Sequence, residues 1–175
     1  EVTRALIAAR PVESMQPGDV YAANDPWLCA GHLDDIAVIT PIFYRGRVVG
    51  FTNTVAHTSS IGGTLDGLRA RDRYEEGLFI PIAKLYDRGE PNQLLFDVIA
   101  NNVRQPEMVL TDIAAQVAAN EVGGRRILSF LEEYGLDDLA ELAAVLQERV
   151  EGAMRRAIAA APDGVYRGES RVEGP

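Results

Sequence analysis

Apolar positions change their spacing partway along the chain. In the first part they come as short runs rich in β-branched and aromatic residues; from Met108 onward they recur at three- and four-residue steps. The runs Ile36-Ala-Val-Ile-Thr-Pro-Ile-Phe-Tyr and Val48-Val-Gly-Phe-Thr-Asn-Thr-Val flank Arg45-Gly46, and a short glycine-containing break between two such runs predicts an antiparallel hairpin. Val20-Tyr-Ala-Ala predicts a short strand after the turn residues Gln16-Pro-Gly-Asp. Leu78 to Leu85 predicts a strand interrupted by Pro81, hence an edge or bulged one.

The helical signals follow a different period. Val2 to Arg10 predicts a short helix ended by Pro11, and Leu94 to Val103 a helical or turn-like segment. Pro106 fits the first position of a long helix carrying Leu110, Ile113, Val117, Val122, Ile127 and Leu131 as far as Tyr134, with Gly135 as its stop. Gly123-Gly124 costs such a helix about 1 kcal/mol per glycine relative to alanine, which predicts close packing on the sheet or a kink. Asp137 is expected to cap a second helix with Leu139, Leu142, Leu146, Val150, Met154 and Ile158 on one face. The short Gly135-Leu-Asp connection predicts an antiparallel pair whose stripe is core or subunit interface. The expected fold class is therefore α+β, a hairpin-rich sheet in the first ~100 residues followed by an antiparallel helical pair, in a single domain over 1–175.

Composition narrows the function classes. A net charge of -9 and a pI near 4.7 argue against a nucleic-acid partner, which needs clustered Lys and Arg. No stretch reaches the roughly 20 apolar residues of a membrane span, and the N-terminus has no signal-peptide pattern, so no membrane partner is expected and a cytoplasmic setting follows by default. Cys29 is the single cysteine; it has no disulfide partner within the chain and is expected to pack near the loop that follows it.

The candidate chemistry lies at the far end of the predicted hairpin. The only two histidines, His32 and His57, sit at the outer ends of its two strands, beside Asp34 and Asp35. With Arg45-Gly46 as a two-residue loop, Tyr44 faces Arg47 and His57 falls opposite Asp34. With a three-residue loop, Phe43 faces Arg47 and His57 falls opposite Leu33, with Asp35 diagonal to it. Opposed Cβ atoms lie about 5 Å apart and diagonal ones about 7 Å, so either register gathers two imidazoles and a carboxylate. That set, with positions left open, holds a divalent transition metal for water or substrate. Because neighbouring strand residues point to opposite faces, the hairpin alone leaves the choice between Asp34 and Asp35 open.

Four blocks carry a family resemblance: Pro17-Gly-Asp-Val-Tyr-Ala-Ala-Asn-Asp-Pro-Trp, Gly31-His-Leu-Asp-Asp, Val55-Ala-His-Thr-Ser-Ser-Ile-Gly-Gly and Tyr74-Glu-Glu-Gly-Leu-Phe-Ile-Pro-Ile-Ala-Lys-Leu. In this order they resemble the hydantoinase B family, which includes N-methylhydantoinase B polypeptides, the C-terminal part of ATP-dependent 5-oxoprolinase and the α subunit of acetone carboxylase. The likeness continues through Asn101 to Arg104 and the Gly123-Gly-Arg-Arg helix to Pro162-Asp-Gly-Val-Tyr. It implies that the chain is a fragment of a longer hydantoinase B-type polypeptide. Through the carboxylase branch of that family, the resemblance also implies a metal set of His, an Asp three residues later and a second His twenty-five residues after the first, here His32, Asp35 and His57. Two positions depart from the family pattern, Asp34 in place of a frequent Pro and Ser60 in place of an Asp.

Its functional implication is the metal-bearing subunit or domain of an ATP-dependent cyclic-amidohydrolase system, hydrolysing cyclic amides of the hydantoin or 5-oxoproline type. One divalent ion is implied, Mn or alternatively Fe or Zn. ATP would be used by a hydantoinase A-type ATPase subunit or domain in a hetero-oligomer, and the chain itself has no Walker motif or kinase signature. A ketone carboxylase α-type subunit is one alternative; a noncatalytic assembly module with a structural metal is another. Asp25 and Glu76 are the candidate acid/base residues, Glu76 on condition that its loop folds back onto the metal. Asn24 and Asp25, one loop ahead of His32, are candidates for orienting a ligand. The polar stretch Thr64 to Arg73 is expected to be a mobile loop, with Arg69, Arg71 and Arg73 available to an anionic intermediate if it acts as a lid.

Overall fold

The computed structural model describes residues 1–65 and 69–172. The chain divides into two compact units, the first Glu1–Asp138 and the second beginning at Leu139. The first unit holds an all-antiparallel sheet of five strands, β1 (Val20–Ala23), β2 (Asp35–Tyr44), β3 (Arg47–His57), β4 (Ala83–Asp87) and β5 (Glu90–Pro91), in the order β3-β2-β1-β4-β5. Helix α1 (Val2–Ala9) precedes them, α2 (Arg73–Glu76) lies between β3 and β4, and α3 (Gln93–Asn102) and α4 (Pro106–Tyr134) follow. The class is α+β, a sheet followed by helices.

Both faces of β2 are covered, which is why its sequence reads as a near-continuous apolar run. Ile36 and Val38 join Val20, Ala22, Leu85, Ile99, Val109 and Ile113 in a core shared with α3 and α4. Ala37 and Ile39 face the other way, into a smaller core with Val2, Leu6, Met15 and Tyr21. Alternate residues of one strand thus serve two cores.

α4 lies against β2 and β3. Its buried line is Val109, Ile113, Gln116, Asn120 and Leu131, which replaces part of the apolar stripe read from sequence; Val122 is exposed. Gln116 Nε2 donates to Ile36 O and Asn120 Nδ2 to Val38 O, each at 2.9 Å. Two amides therefore take places that periodicity assigns to apolar residues, because sheet carbonyls lie beneath them. The helix runs through Gly123-Gly124 unbroken, and a Cβ at Gly123 would sit 3.0 Å from Thr52 Cγ2. Close packing on the sheet is the reason for that glycine.

Two other expectations are corrected. The strand expected over Leu78 to Leu85 begins only at Ala83; before it, Leu78 N donates to Ile61 O and Ile80 N to the Asn24 side chain, so those groups are taken by loops. Asp137 does not cap the second helix, α5 (Ala140–Ala160), whose preceding residue is Leu139. Asp137 instead accepts from Arg45 Nη1, while Arg47 Nη2 donates to Asp137 O and Asp138 Oδ2. These contacts tie the hairpin turn to the end of α4. In the second unit no residue of α5 is buried, and Leu146, Val150, Met154 and Ile158 are 52% to 65% exposed.

Candidate metal centre

His32, Asp35 and His57 converge at the open end of the β2–β3 hairpin. Asp35 is the first residue of β2, His57 is the last of β3, and they pair directly across the ladder. Neither regular register predicts that pair. The two-residue turn is present, with Tyr44 opposite Arg47 and positive φ at Arg45 (49°) and Gly46 (81°), as the tight hairpin turn demands. Phe43 then pairs with Val48 but Ile42 with Gly50. Val49 is an extra residue, and this bulge advances every later pair by one. Asp35 faces the histidine because of an irregularity near the turn.

His32 comes from the loop before β2, which a buried anchor holds. Leu33 is fully buried, and its carbonyl accepts from Asn24 Nδ2 at 2.8 Å. Asn24 also donates to Leu78 O at 2.9 Å and accepts from Ile80 N at 2.6 Å. One buried amide, placed by β1, thus joins the His32 loop to the segment leading into β4. Thr58 extends the ladder past His57 by donating from its backbone N (2.8 Å) and Oγ1 (3.0 Å) to Asp34 O. His32 and Asp34 are fixed on either side of Leu33.

Asp35 binds both rings. Its Oδ1 lies 3.0 Å from His57 Nδ1 and its Oδ2 3.2 Å from His32 Nε2. The rings are edge-to-face with centroids 5.0 Å apart, and one donor atom from each of the three residues fits within 4.8 Å of the others. The Asp35 side chain is 13% exposed and that of His57 65%, so the carboxylate forms the floor and an imidazole the open side. Two imidazoles and a carboxylate, with one side facing solvent, suit a divalent ion that keeps positions for other ligands.

Glu76 lies beside the His32 loop. Its loop folds back: Glu76 Oε1 accepts from Leu33 N at 2.6 Å, and His32, Asp34 and Glu76 form a second group of donor atoms within 4.8 Å. The fold-back depends on Gly63, where an added Cβ would lie 2.1 Å from Glu76 O; no side chain fits there. Arg104 clamps the same turn by donating to Gly62 O (2.9 Å) and Gly63 O. Ser60 Oγ accepts from the backbone N of Gly62 and of Arg104, so at this position, one of the two that depart from the pattern of the resemblance, the side chain shapes the loop.

Other sequence candidates lie in different settings. Asp25 accepts from Trp27 N at 3.0 Å in a turn and belongs to neither donor group. The Asn24 side chain hydrogen-bonds to Leu33, Leu78 and Ile80, and so orients the loop that carries His32. Cys29 lies against the α1 core, and burial together with the Asp25 charge pushes its thiol pKa up, which disfavours the thiolate a nucleophile needs. Arg71 is paired with Glu75, and Arg73 lies over the rings of Tyr74 and Phe79. The lid expectation falls partly on residues 66–68, outside the described residues.

Missed from the sequence were the Asn24 bridge, the Thr58 bonds and the joint placement of Asp34 and Glu76. Only the Asn24-Asp-Pro turn offered a signal for the first. The others depend on contacts between residues far apart in the chain.

Comparison with known proteins decides the family. The sequence model of the hydantoinase B/oxoprolinase family matches residues 1–174. The chain belongs to that family. It is 36% identical over 166 residues to a protein of Pseudomonas sp. (strain NS671) named as the B-type component of a D-/L-hydantoinase, covering 93% of this chain and 28% of that protein. To the acetophenone carboxylase delta subunit of Aromatoleum aromaticum it is 30% identical, covering 89% of this chain and 23% of that one. The crystal structure of ATP-dependent caprolactamase from Pseudomonas jessenii superposes with a TM-score of 0.86 at 29% identity, over 98% of this chain and 30% of the caprolactamase chain. The chain spans less than a third of the length of these relatives. Among the described residues no helix is long and apolar enough to cross a membrane.

Proposed function

We propose that this chain is the metal-bearing part of an ATP-dependent enzyme that opens cyclic amides, with His32, Asp35 and His57 holding one divalent ion, Mn or alternatively Fe or Zn. The observation that carries the reading is Asp35 presenting one oxygen to each imidazole at the open end of the hairpin. A divalent ion bound there supplies a Lewis acid for a carbonyl or phosphoryl oxygen and lowers the pKa of a bound water toward 7. Asp35, held by the strand pairing, fixes both rings. His57 leaves the site open toward solvent, and Glu76 stands beside it as the candidate proton acceptor or donor.

The hydantoinase component and the ATP-dependent caprolactamase among the relatives support the hydrolase reading and a partner subunit or domain of hydantoinase A type that uses ATP. The identity to a carboxylase subunit supports a second reading, carboxylation of a ketone at the same centre. A structural ion in a closed shell fits less well, because a structural site fills its fourth position with protein, whereas His57 here is mostly exposed.

Elemental analysis of the purified protein is expected to find one divalent ion per chain and to find it lost in His57→Ala. Equal metal content in both would sink the proposal. Turnover of the assembled enzyme with hydantoin, 5-oxoproline, or a ketone plus bicarbonate, each with ATP, then separates hydrolase from carboxylase. No ATP-coupled turnover, together with four protein ligands on the ion, would leave the assembly module.

A further inference from the structure

We infer that Glu76, together with Asp34, positions His32, and that through Glu76 the segment after Gly62-Gly63 is coupled to the metal centre; this rests on the metal reading above. A histidine that ligates through one ring nitrogen carries a hydrogen on the other, and that N–H normally goes to a carboxylate or carbonyl that fixes the ring. With Nε2 turned to Asp35, His32 presents Nδ1 on its other side, where the atom is shielded from solvent and has no hydrogen-bond partner. Leaving it unpaired is unfavourable.

The acid on that side is Asp34, whose Oδ2 is 3.8 Å from Nδ1, and Glu76 adds a carboxylate oxygen within 4.8 Å of Asp34 and of a His32 ring nitrogen. A separation of 3.8 Å is too long for a hydrogen bond, and a small rotation of the ring or the carboxylate closes it. Two carboxylates this close repel unless a donor lies between them. A ring N–H at Nδ1 is such a donor, so ligation at Nε2 and the acid pair favour the same tautomer.

Glu76 is already held for this task. Its Oε1 takes the N–H of Leu33, the residue after His32. Its backbone is fixed by the approach of Gly63, by Thr64 N donating to Glu75 O at 2.8 Å, and by Asp72, which accepts from Tyr74 N and Glu75 N at the start of α2. Any displacement of α2 therefore moves the carboxylate beside His32.

A purely structural tether and a positioning role respond differently to substitution. Holding Leu33 N–H requires only an acceptor oxygen, which glutamine also has; accepting from Nδ1–H with a full charge requires the second carboxylate oxygen. In the full chain, Zn2+ alone is titrated against a competing chelator for wild type, Glu76→Gln, Asp34→Asn and the double variant, with urea unfolding of each metal-free protein as the check on the fold. Wild type is expected to bind one ion. Glu76→Gln should bind about 10-fold more weakly at unchanged metal-free stability, and the double variant should approach a roughly 100-fold loss. Wild-type affinity in Glu76→Gln overturns the inference and leaves the metal reading intact. If Glu76→Gln does not fold, Asp34→Asn decides, and unchanged affinity there overturns it equally. Two ions per wild-type chain also overturn it, making His32, Asp34 and Glu76 a second cation subsite. A wild type that binds no ion removes both readings at once.

Discussion

Asp35 and His57 are direct cross-strand partners, their side chains 3.0 Å apart, and Val49 is the residue that lets them meet. A regular ladder from the Tyr44–Arg47 turn would place His57 across from Asp34 instead, with Asp35 on the opposite face. The bulge absorbs one residue of β3 before the ladder reaches the site.

Deleting Val49 is therefore expected to leave metal uptake close to wild type. The ladder on both sides of the bulge already has the register that the shortened strand would need, so Ile42 would still pair with Gly50 and Asp35 with His57. If Val49 instead belonged to a regular ladder, its removal would offset His57 by one place and carry its ring to the other face. Metal content of the deletion variant distinguishes the two, and loss of the ion in a folded variant would contradict the bulge.

Asn24→Asp is expected to destabilise the protein by about 3 kcal/mol and to weaken the metal site. The side chains are nearly the same shape, but Asn24 Nδ2 donates to two carbonyls, Leu33 O and Leu78 O. A carboxylate oxygen there would face both carbonyls in a buried place, unpaired and repelled. Urea unfolding measures the first effect and metal titration the second. A stability within about 1 kcal/mol of wild type would show that Asn24 does not bind these segments together.

Asp19 supplies a pH dependence. Its buried carboxylate accepts from Gln16 N, Tyr21 Oη, Arg88 N and Lys84 Nζ. Burial pushes its pKa up, but the Lys84 ammonium and the two backbone N–H groups outweigh this, and the net shift is downward. The unfolded chain then binds the proton at a higher pH than the folded one. The resulting stability is fully present above the ordinary aspartate pKa of about 3.9 and is lost as pH falls through the lower folded value. Asp19→Asn should cost about 2 kcal/mol near pH 7, since it removes the buried charge that two backbone N–H groups and Lys84 are arranged around, while Lys84 keeps Asp87 at 2.8 Å. The gap to wild type should shrink in acid, and urea unfolding at pH 7 and pH 3 reads both. An equal gap at both pH values would remove the linkage.

By itself the sequence determined the hairpin, the two-residue turn, the long helix with Pro106 at its start and Gly135 at its stop, and the meeting of two histidines with an aspartate. These are local matters. Side-chain period, turn chemistry and helix ends act over a few residues, and a hairpin carries its strand ends together whatever surrounds it. Pattern and turn chemistry left open which aspartate faces His57, although the resemblance pointed to Asp35; the tertiary structure decided it, because a bulge such as the one at Val49 has no periodic signature. It also decided that Gln116 and Asn120 line α4 where apolar residues were expected, since their partners are carbonyls of β2 far away in the chain. Asp137 left its expected cap for Arg45 for the same reason: a guanidinium from the hairpin turn reached it, and local propensity has no knowledge of that neighbour. The return of Glu76 to the His32 loop is likewise tertiary, fixed by the bare backbone at Gly63 and by the hydrogen bond to Leu33. Local chemistry put the donor residues on the chain; long-range packing brought their atoms within reach of one another.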